Sequence, residues 1–215
     1  MHFFGKGENY CAMSHDIQIN PVPIIIDTDL GDDVDDTWAL AFLLSLPQYA
    51  KIILISTSGK GNHRKRAAII CKICQRAGRN EIPIVCGIDR HNCVELAQLS
   101  WLNESVDNIL NSYSNFINNT TASEHLVHTI MQSKYPVTVM AIGPMHNIAA
   151  VLNIEPGIAN RAHFVSMAGS IYKGYGNSKK PAPEFNIAAA IDSAKIVFKA
   201  KWISVSIILD LLLAV

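Results

Sequence analysis

The sequence predicts an α/β protein: an open, mostly parallel sheet with helices on both faces. Three observations carry this. Short apolar, β-branched runs alternate with helix-periodic stretches from Val22 onward. Turn residues such as Gly78 and Gly143-Pro144 punctuate that alternation. An acidic loop follows the first apolar run, at the strand end where open α/β sheets place their ligands.

The elements follow in order. Residues 1–20 are mixed and polar and read as a loose leader, with residues 21–215 forming one domain. Val22 to Ile26 is a strand, and Trp38 to Leu44 is an apolar-periodic helix. Lys51 to Ser56 is the second strand. Arg66 to Ala77 is a helix with Ala67, Ile70, Cys71, Cys74 and Ala77 on one face, closed by Gly78. Ile82 to Cys86 is a short strand. Gly87 to Thr121 is rich in Asn, Ser and Gln and reads as a lid-like excursion, with a short helix from Val106 to Leu110. Ala122 to Ser133 is a helix, Val137 to Ile142 a strand and Met145 to Leu152 a helix. Phe164 to Met167 is a strand, Ile187 to Ala200 a helix and Trp202 to Leu209 the last strand.

With 215 residues, the chain can bury a sizeable core. Its formal net charge of zero gives no basic excess for nucleic acid. No apolar run reaches the roughly 20 residues needed to span a bilayer. Five cysteines without framework spacing, and a start lacking a signal-peptide core, lead us to expect a cytoplasmic protein. Cys71 and Cys74 form a C-x-x-C, but both lie on the apolar stripe of a helix and read as packing residues. His125 and His128 read as a solvated face, and His146 as a residue near the pocket.

The acidic loop is the most informative segment. Asp27-Thr28-Asp29-Leu30-Gly31-Asp32-Asp33-Val34-Asp35-Asp36 concentrates carboxylates that repel unless a cation sits among them, and a hard divalent ion bound through oxygen is the natural candidate. Helix capping accounts for one or two of the later aspartates, but not for Asp27 and Asp29, which precede the turn. An EF-hand fails, because its fifth, sixth and twelfth positions fall on Gly31, Asp32 and Trp38. A magnesium-dependent Asp-x-Asp phosphatase, with Asp27 as nucleophile, is the enzymatic rival.

This loop resembles that of the inosine/uridine-preferring nucleoside hydrolases. Two further segments share the resemblance in matching order: Val137 to Leu152 (VTVMAIGPMHNIAAVL), and Phe164 to Phe198 with Met167-Ala168-Gly169, Gly176-Asn177 and Pro183-Glu184-Phe185-Asn186-Ile187. The resemblance implies an enzyme that cleaves the N-glycosidic bond of ribonucleosides to free base and ribose with metal-activated water. It implies Ca2+ held by Asp27, Asp29, Asp36 and the backbone carbonyl of Ile142, with Asp29 also the general base. Asp35, Asn62, Asn177, Glu184 and Asn186 would bind the substrate's ribose side. Nucleoside is then the implied partner, and a homodimer or homotetramer the implied assembly. Of the two aspartate pairs, Asp35-Asp36 is favoured over Asp32-Asp33, because it starts the helix directly.

The chain also departs from the family pattern. The family continues past the strand ending at Asp210 to a histidine and an aspartate that complete the site, whereas this sequence ends at Val215. Ala190 stands where an aspartate often caps the next helix, and the usual His-Gly of the lid is missing between Gly87 and Thr121, with Gln98 and Trp101 expected to line that region instead. The expectation is therefore a domain incomplete at its C-terminus. A catalytically dead nucleoside- or ribose-binding protein is the non-enzymatic alternative, and purine against pyrimidine preference is not encoded in the residues present.

Overall fold

The computed structural model describes residues 20–87, 95–118, 120–170, 174–175 and 178–208. Among the described residues seven strands form one sheet: β1 (Val22–Thr28), β2 (Ala50–Thr57), β3 (Ile84–Val85), β4 (Phe116–Ile117), β5 (Val137–Ala141), β6 (Ala162–Met167) and β7 (Ser204–Ile208). Their order is β4-β3-β2-β1-β5-β6-β7, and every pairing among the described residues is parallel. The order reverses between β1 and β5, which creates a crevice at their carboxyl ends.

The helices are α1 (Asp35–Leu44), α2 (His63–Arg76), α3 (Val106–Ser112), α4 (Ala122–Gln132), α5 (His146–Ile154), α6 (Phe185–Ala189) and α7 (Ile191–Lys199). They divide between the two faces because neighbouring strand residues point to opposite sides. Ile24, Ile26, Ile52 and Ile55 pack with Leu40 and Leu44 of α1, Ala67, Ile70, Cys71 and Cys74 of α2, and Ile109 and Leu110 of α3. Ile25, Leu54 and Val139 pack on the other face with Leu126 of α4, Ile148 and Val151 of α5, and Val197 of α7. Both sides of β1 are therefore buried, which explains its unbroken apolar run.

Three features differ from the sequence reading. The stretch from Gly87 to Thr121 does more than cross the sheet: Asn115 O accepts from Ile84 N, and Phe116-Ile117 adds β4 at the edge. Two paired residues leave too short an alternation to read. The expected helix from Ile187 to Ala200 breaks at Ala190, whose backbone leaves the helical region at φ −145° and ψ 45°. That split lets Glu184 cap α6, while Ala190 at the head of α7 offers no side-chain cap. Finally, α1 buries Leu40 and Leu44 but leaves Trp38 and Phe42 more than 60% exposed, so its apolar residues extend beyond one stripe. Cys71 and Cys74 are buried as read, and among the described residues no helix is long and apolar enough to cross a membrane.

The packing makes a stability prediction. Ile25 sits at 0% exposure in the centre of the sheet. Ile25→Ala should cost about 2–5 kcal/mol through lost burial and a cavity, whereas exposed Trp38→Ala should stay within about 0.5 kcal/mol. Urea denaturation of the two variants checks this, and equal midpoints would contradict the assigned core.

Candidate functional site

The crevice is built from the carboxyl ends of β1, β2, β5 and β6. Asp27, still inside β1, lies between Ser56 of β2 and Ala141 of β5 in the parallel register. Its side chain is fully buried. Ser56 Oγ (2.5 Å) and Asn147 Nδ2 (2.7 Å) both donate to Asp27 Oδ1. Asp27 Oδ2, in contrast, has no hydrogen-bonding partner among the described residues. Burial pushes the Asp27 carboxyl up to about 7 against those two donors.

Two residues on, Asp29 leaves the strand between two glycines. A Cβ on Gly143 would lie 2.7 Å from Asp29 Oδ1 and 2.3 Å from Ser58 Oγ, and one on Gly59 would lie 2.7 Å from Asp29 Cβ. Only glycine permits that approach, so the turns after β5 and β2 are shaped around this carboxylate. Burial raises Asp29 to about 6, Arg66 pulls it down, and Asp32 and Asp35 push it up again. Asp36, in the first turn of α1, reaches back to accept from Thr28 Oγ1 and meets Asp29. Burial first, and then the Asp29 charge, raises the Asp36 carboxyl well above the ordinary carboxylate range.

The facing wall comes from the segment after β6. Asn186 Nδ2 donates to the carbonyls of Ile142 (2.9 Å) and Met167 (3.1 Å), joining the ends of β5 and β6. Glu184 is buried, and its carboxylate accepts from the amides of Gly169 (3.1 Å), Asn186 (2.8 Å) and Ile187 (3.0 Å). It therefore fixes the turn that presents Asn186. Among the sequence-predicted residues, Asp27, Asp29, Asp36, Ile142, Glu184 and Asn186 gather around this crevice. Asp35 is exposed on its rim, where its Oδ1 accepts from Asp36 N. Asn62 stands in the left-handed region at φ 57°, at the head of α2 and three residues after Gly59. Asn177 lies outside the described residues.

Two side chains to which the sequence assigned no such role hold the acidic loop. Arg66 is 1% exposed, and its guanidinium donates to the carbonyls of Asp29, Leu30 (3.1 Å) and Gly61 (3.3 Å) and pairs with Asp32 (3.0 Å). Gln98, read only as a lid residue, donates to Asp33 O (2.7 Å) and accepts from Thr37 Oγ1 (2.9 Å). A signal for Arg66 exists: the first turn of α2 holds His63, Arg64, Lys65 and Arg66 and no acid, against the helix dipole. Cations placed there answer negative charge elsewhere, which is Asp107 for Arg64 and the acidic loop for Arg66.

The donor chemistry suits a hard divalent cation. It consists of oxygen alone, and it includes Asp27 Oδ2, unpartnered among the described residues, and three carboxyls whose proton affinities are raised chiefly by burial. Among the described residues, no three acidic, His or Cys side chains are grouped closely enough to hold a metal ion by themselves.

Comparison with known proteins places the chain. The family model described as inosine-uridine preferring nucleoside hydrolase matches residues 24–214. The pyrimidine-specific ribonucleoside hydrolase RihA of Citrobacter koseri is 30% identical over 183 residues, covering 83% of this chain and 57% of that protein. Its Salmonella arizonae counterpart is 31% identical over the same length. The chain thus spans 57% of the length of these curated relatives. Among solved structures, the inosine-uridine preferring nucleoside hydrolase of Bacillus anthracis superposes with a TM-score of 0.72 at 20% identity, over 88% of this chain and 65% of that one. The plant nucleoside hydrolase PpNRh1 superposes with a TM-score of 0.67 at 23% identity, over 88% and 60% respectively. At these identities the structural likeness shows the fold.

The raised carboxyls set a pH dependence. Asp27 and Asp29 titrate near 7 and 6 when folded, against an ordinary value of 3.8. Between those limits the folded state binds more protons than the unfolded one, so stability falls as pH rises through the window. Chelator-treated protein should therefore melt at a lower temperature at pH 7.5 than at pH 4.5. If a divalent cation binds these carboxyls, adding one at millimolar concentration should restore the melting temperature at pH 7.5 and do little at pH 4.5, where the carboxyls hold protons. A cation effect of equal size at both pH values would contradict this.

Proposed function

The chain belongs to the inosine-uridine preferring nucleoside hydrolase family, and from that premise we propose that it hydrolyses the N-glycosidic bond of ribonucleosides, giving free base and ribose. The carrying observation is the convergence of Asp29, the Ile142 carbonyl and Asn186 at the reversal point of the sheet. In the reaction the C1′–N bond breaks, the hydroxyl of water joins C1′, and the remaining proton leaves with the base.

We assign to Asp27, Asp29, Asp36 and the Ile142 carbonyl the holding of a divalent cation, calcium. Such an ion, when bound, acidifies water and supplies fixed positive charge. Asp29 is the general base. Its place in the crevice, held between Gly59 and Gly143, supports that role, since a base must lie within hydrogen-bond reach of the proton it takes. Hydrolysis at an anomeric carbon passes through an oxocarbenium-like state, so carboxylates on one side of the sugar also stabilise growing positive charge.

Asp35, Asn62, Asn177 and Asn186 are assigned to ribose hydroxyls, holding the ring for distortion. Glu184 joins them in a restricted way. A carboxylate has about four lone-pair directions, and three amides occupy three of them. One direction is left for a hydroxyl. The phosphatase reading has less support, since its nucleophile, Asp27, is wholly buried and pushed up to about 7.

Ribose release from inosine and uridine tests the proposal. Turnover should depend on a divalent cation, and Asp29→Ala should lower kcat by about 10²–10⁴-fold. Turnover that survives Asp29→Ala would refute the base assignment. Calcium-dependent nucleoside binding without turnover would assign the non-enzymatic reading instead, and phosphate release abolished by Asp27→Asn would assign the phosphatase.

A further inference from the structure

The acidic loop carries one cation of its own. Arg66 comes from the first turn of α2, a helix of 14 residues whose stripe of Ala67, Ile70, Cys71 and Cys74 is locked in the core. Its backbone position is therefore fixed by packing that has nothing to do with the crevice. From there the guanidinium reaches two loops at once. Nε donates to Gly61 O in the turn after β2, while Nη1 donates to Asp29 O and Leu30 O in the turn after β1. Nη2 completes the set on Asp32 Oδ2. A Cβ on Gly31 would stand 3.4 Å from Nη1, so the loop folds closely over the planar group. The contacts to Asp29 and Leu30 are to backbone carbonyls, so they set the loop's path rather than merely balance charge. A rigid fork with donors in fixed directions suits that task, and a lysine ammonium lacks it.

We propose that Arg66 is a positioning residue: it holds the Asp29–Asp32 backbone in the path that brings the Asp29 and Asp36 carboxylates together, ahead of any divalent cation. This rests on the reading of the crevice as a cation site, and it assigns that site a permanent scaffold outside the residues that touch the ion. Two opposite effects can be separated by sign. If Arg66 acted only as a counter-charge, its removal would make the loop more negative and tighten cation binding. If it positions the loop, its removal weakens binding despite the more negative loop. A purely structural arginine would lower the melting temperature and leave calcium affinity alone.

The experiment compares the wild-type chain with Arg66→Met and Arg66→Lys, first free of cation and then with Ca2+. Without cation, hydrogen–deuterium exchange at residues 29–36 should rise about tenfold or more in Arg66→Met, while residues 137–154 stay protected. Arg66→Lys keeps the charge and should still exchange faster than wild type in the same segment; it also serves as the readable variant if Arg66→Met does not fold. By calorimetry, calcium affinity should fall about 10- to 100-fold in Arg66→Met, as for other supports of a metal site, with a smaller fall in Arg66→Lys. Loop exchange that is unchanged, or raised equally throughout the chain, overturns the proposal, as does calcium binding that is unchanged or tighter. A wild-type chain that binds no calcium removes the cation-site reading instead, and the exchange of the cation-free loop still decides whether Arg66 sets its path.

Discussion

Carboxylates placed close together at the ends of buried strands face two costs: each loses water, and each repels the next. At about 4 Å and an effective dielectric near 20, one like-charged pair costs on the order of 4 kcal/mol. The crevice between β1 and β5 gathers Asp27, Asp29 and Asp36 under these conditions, and their raised proton affinities express the same cost. Much of the surrounding architecture can be understood as compensation. Ser56 and Asn147 hydrogen-bond Asp27, Thr28 hydrogen-bonds Asp36, and Arg66 supplies the positive charge. The compensation is incomplete, and on that ground we propose that an external cation completes it.

The fold makes this concentration possible. Parallel strands buried on both faces send their carboxyl ends to one edge, and the reversal of order parts the loops there. The loops then differ in composition according to their task. Those after β2 and β5 contribute glycines, Gly59 and Gly143, because a side chain would displace Asp29. The segment after β6 contributes Glu184 and Asn186, which clamp the strand ends to one another. The acids of one wall and the amide shelf of the other thus belong to one hydrogen-bonded assembly.

How much of this was legible in the sequence follows from the range of each interaction. The strands β1, β2, β5 and β6 and the long helices were readable because periodicity is local and both sheet faces demand apolar runs. The acidic loop and the Glu184–Asn186 segment stood out because their chemistry is concentrated in consecutive residues. β4 was illegible, since two paired residues carry no period, and the break at Ala190 was hidden by helix-forming neighbours. Arg66 was missed because its contacts with the acidic loop lie 34 to 37 residues away in sequence. Glu184 was found, but not its engagement by three amides, which only the folded turn reveals.

The central claim is that these carboxylates and one main-chain carbonyl receive a divalent ion facing the Asn186 shelf. Anomalous diffraction from crystals of the chain grown with Ca2+ and ribose tests it most directly. The account predicts one ion at about 2.3–2.6 Å from oxygens of Asp29 and Asp36, with the sugar between it and Asn186. An ion bound elsewhere, with Asp29 turned to bulk water and the sugar absent from the crevice, would contradict it.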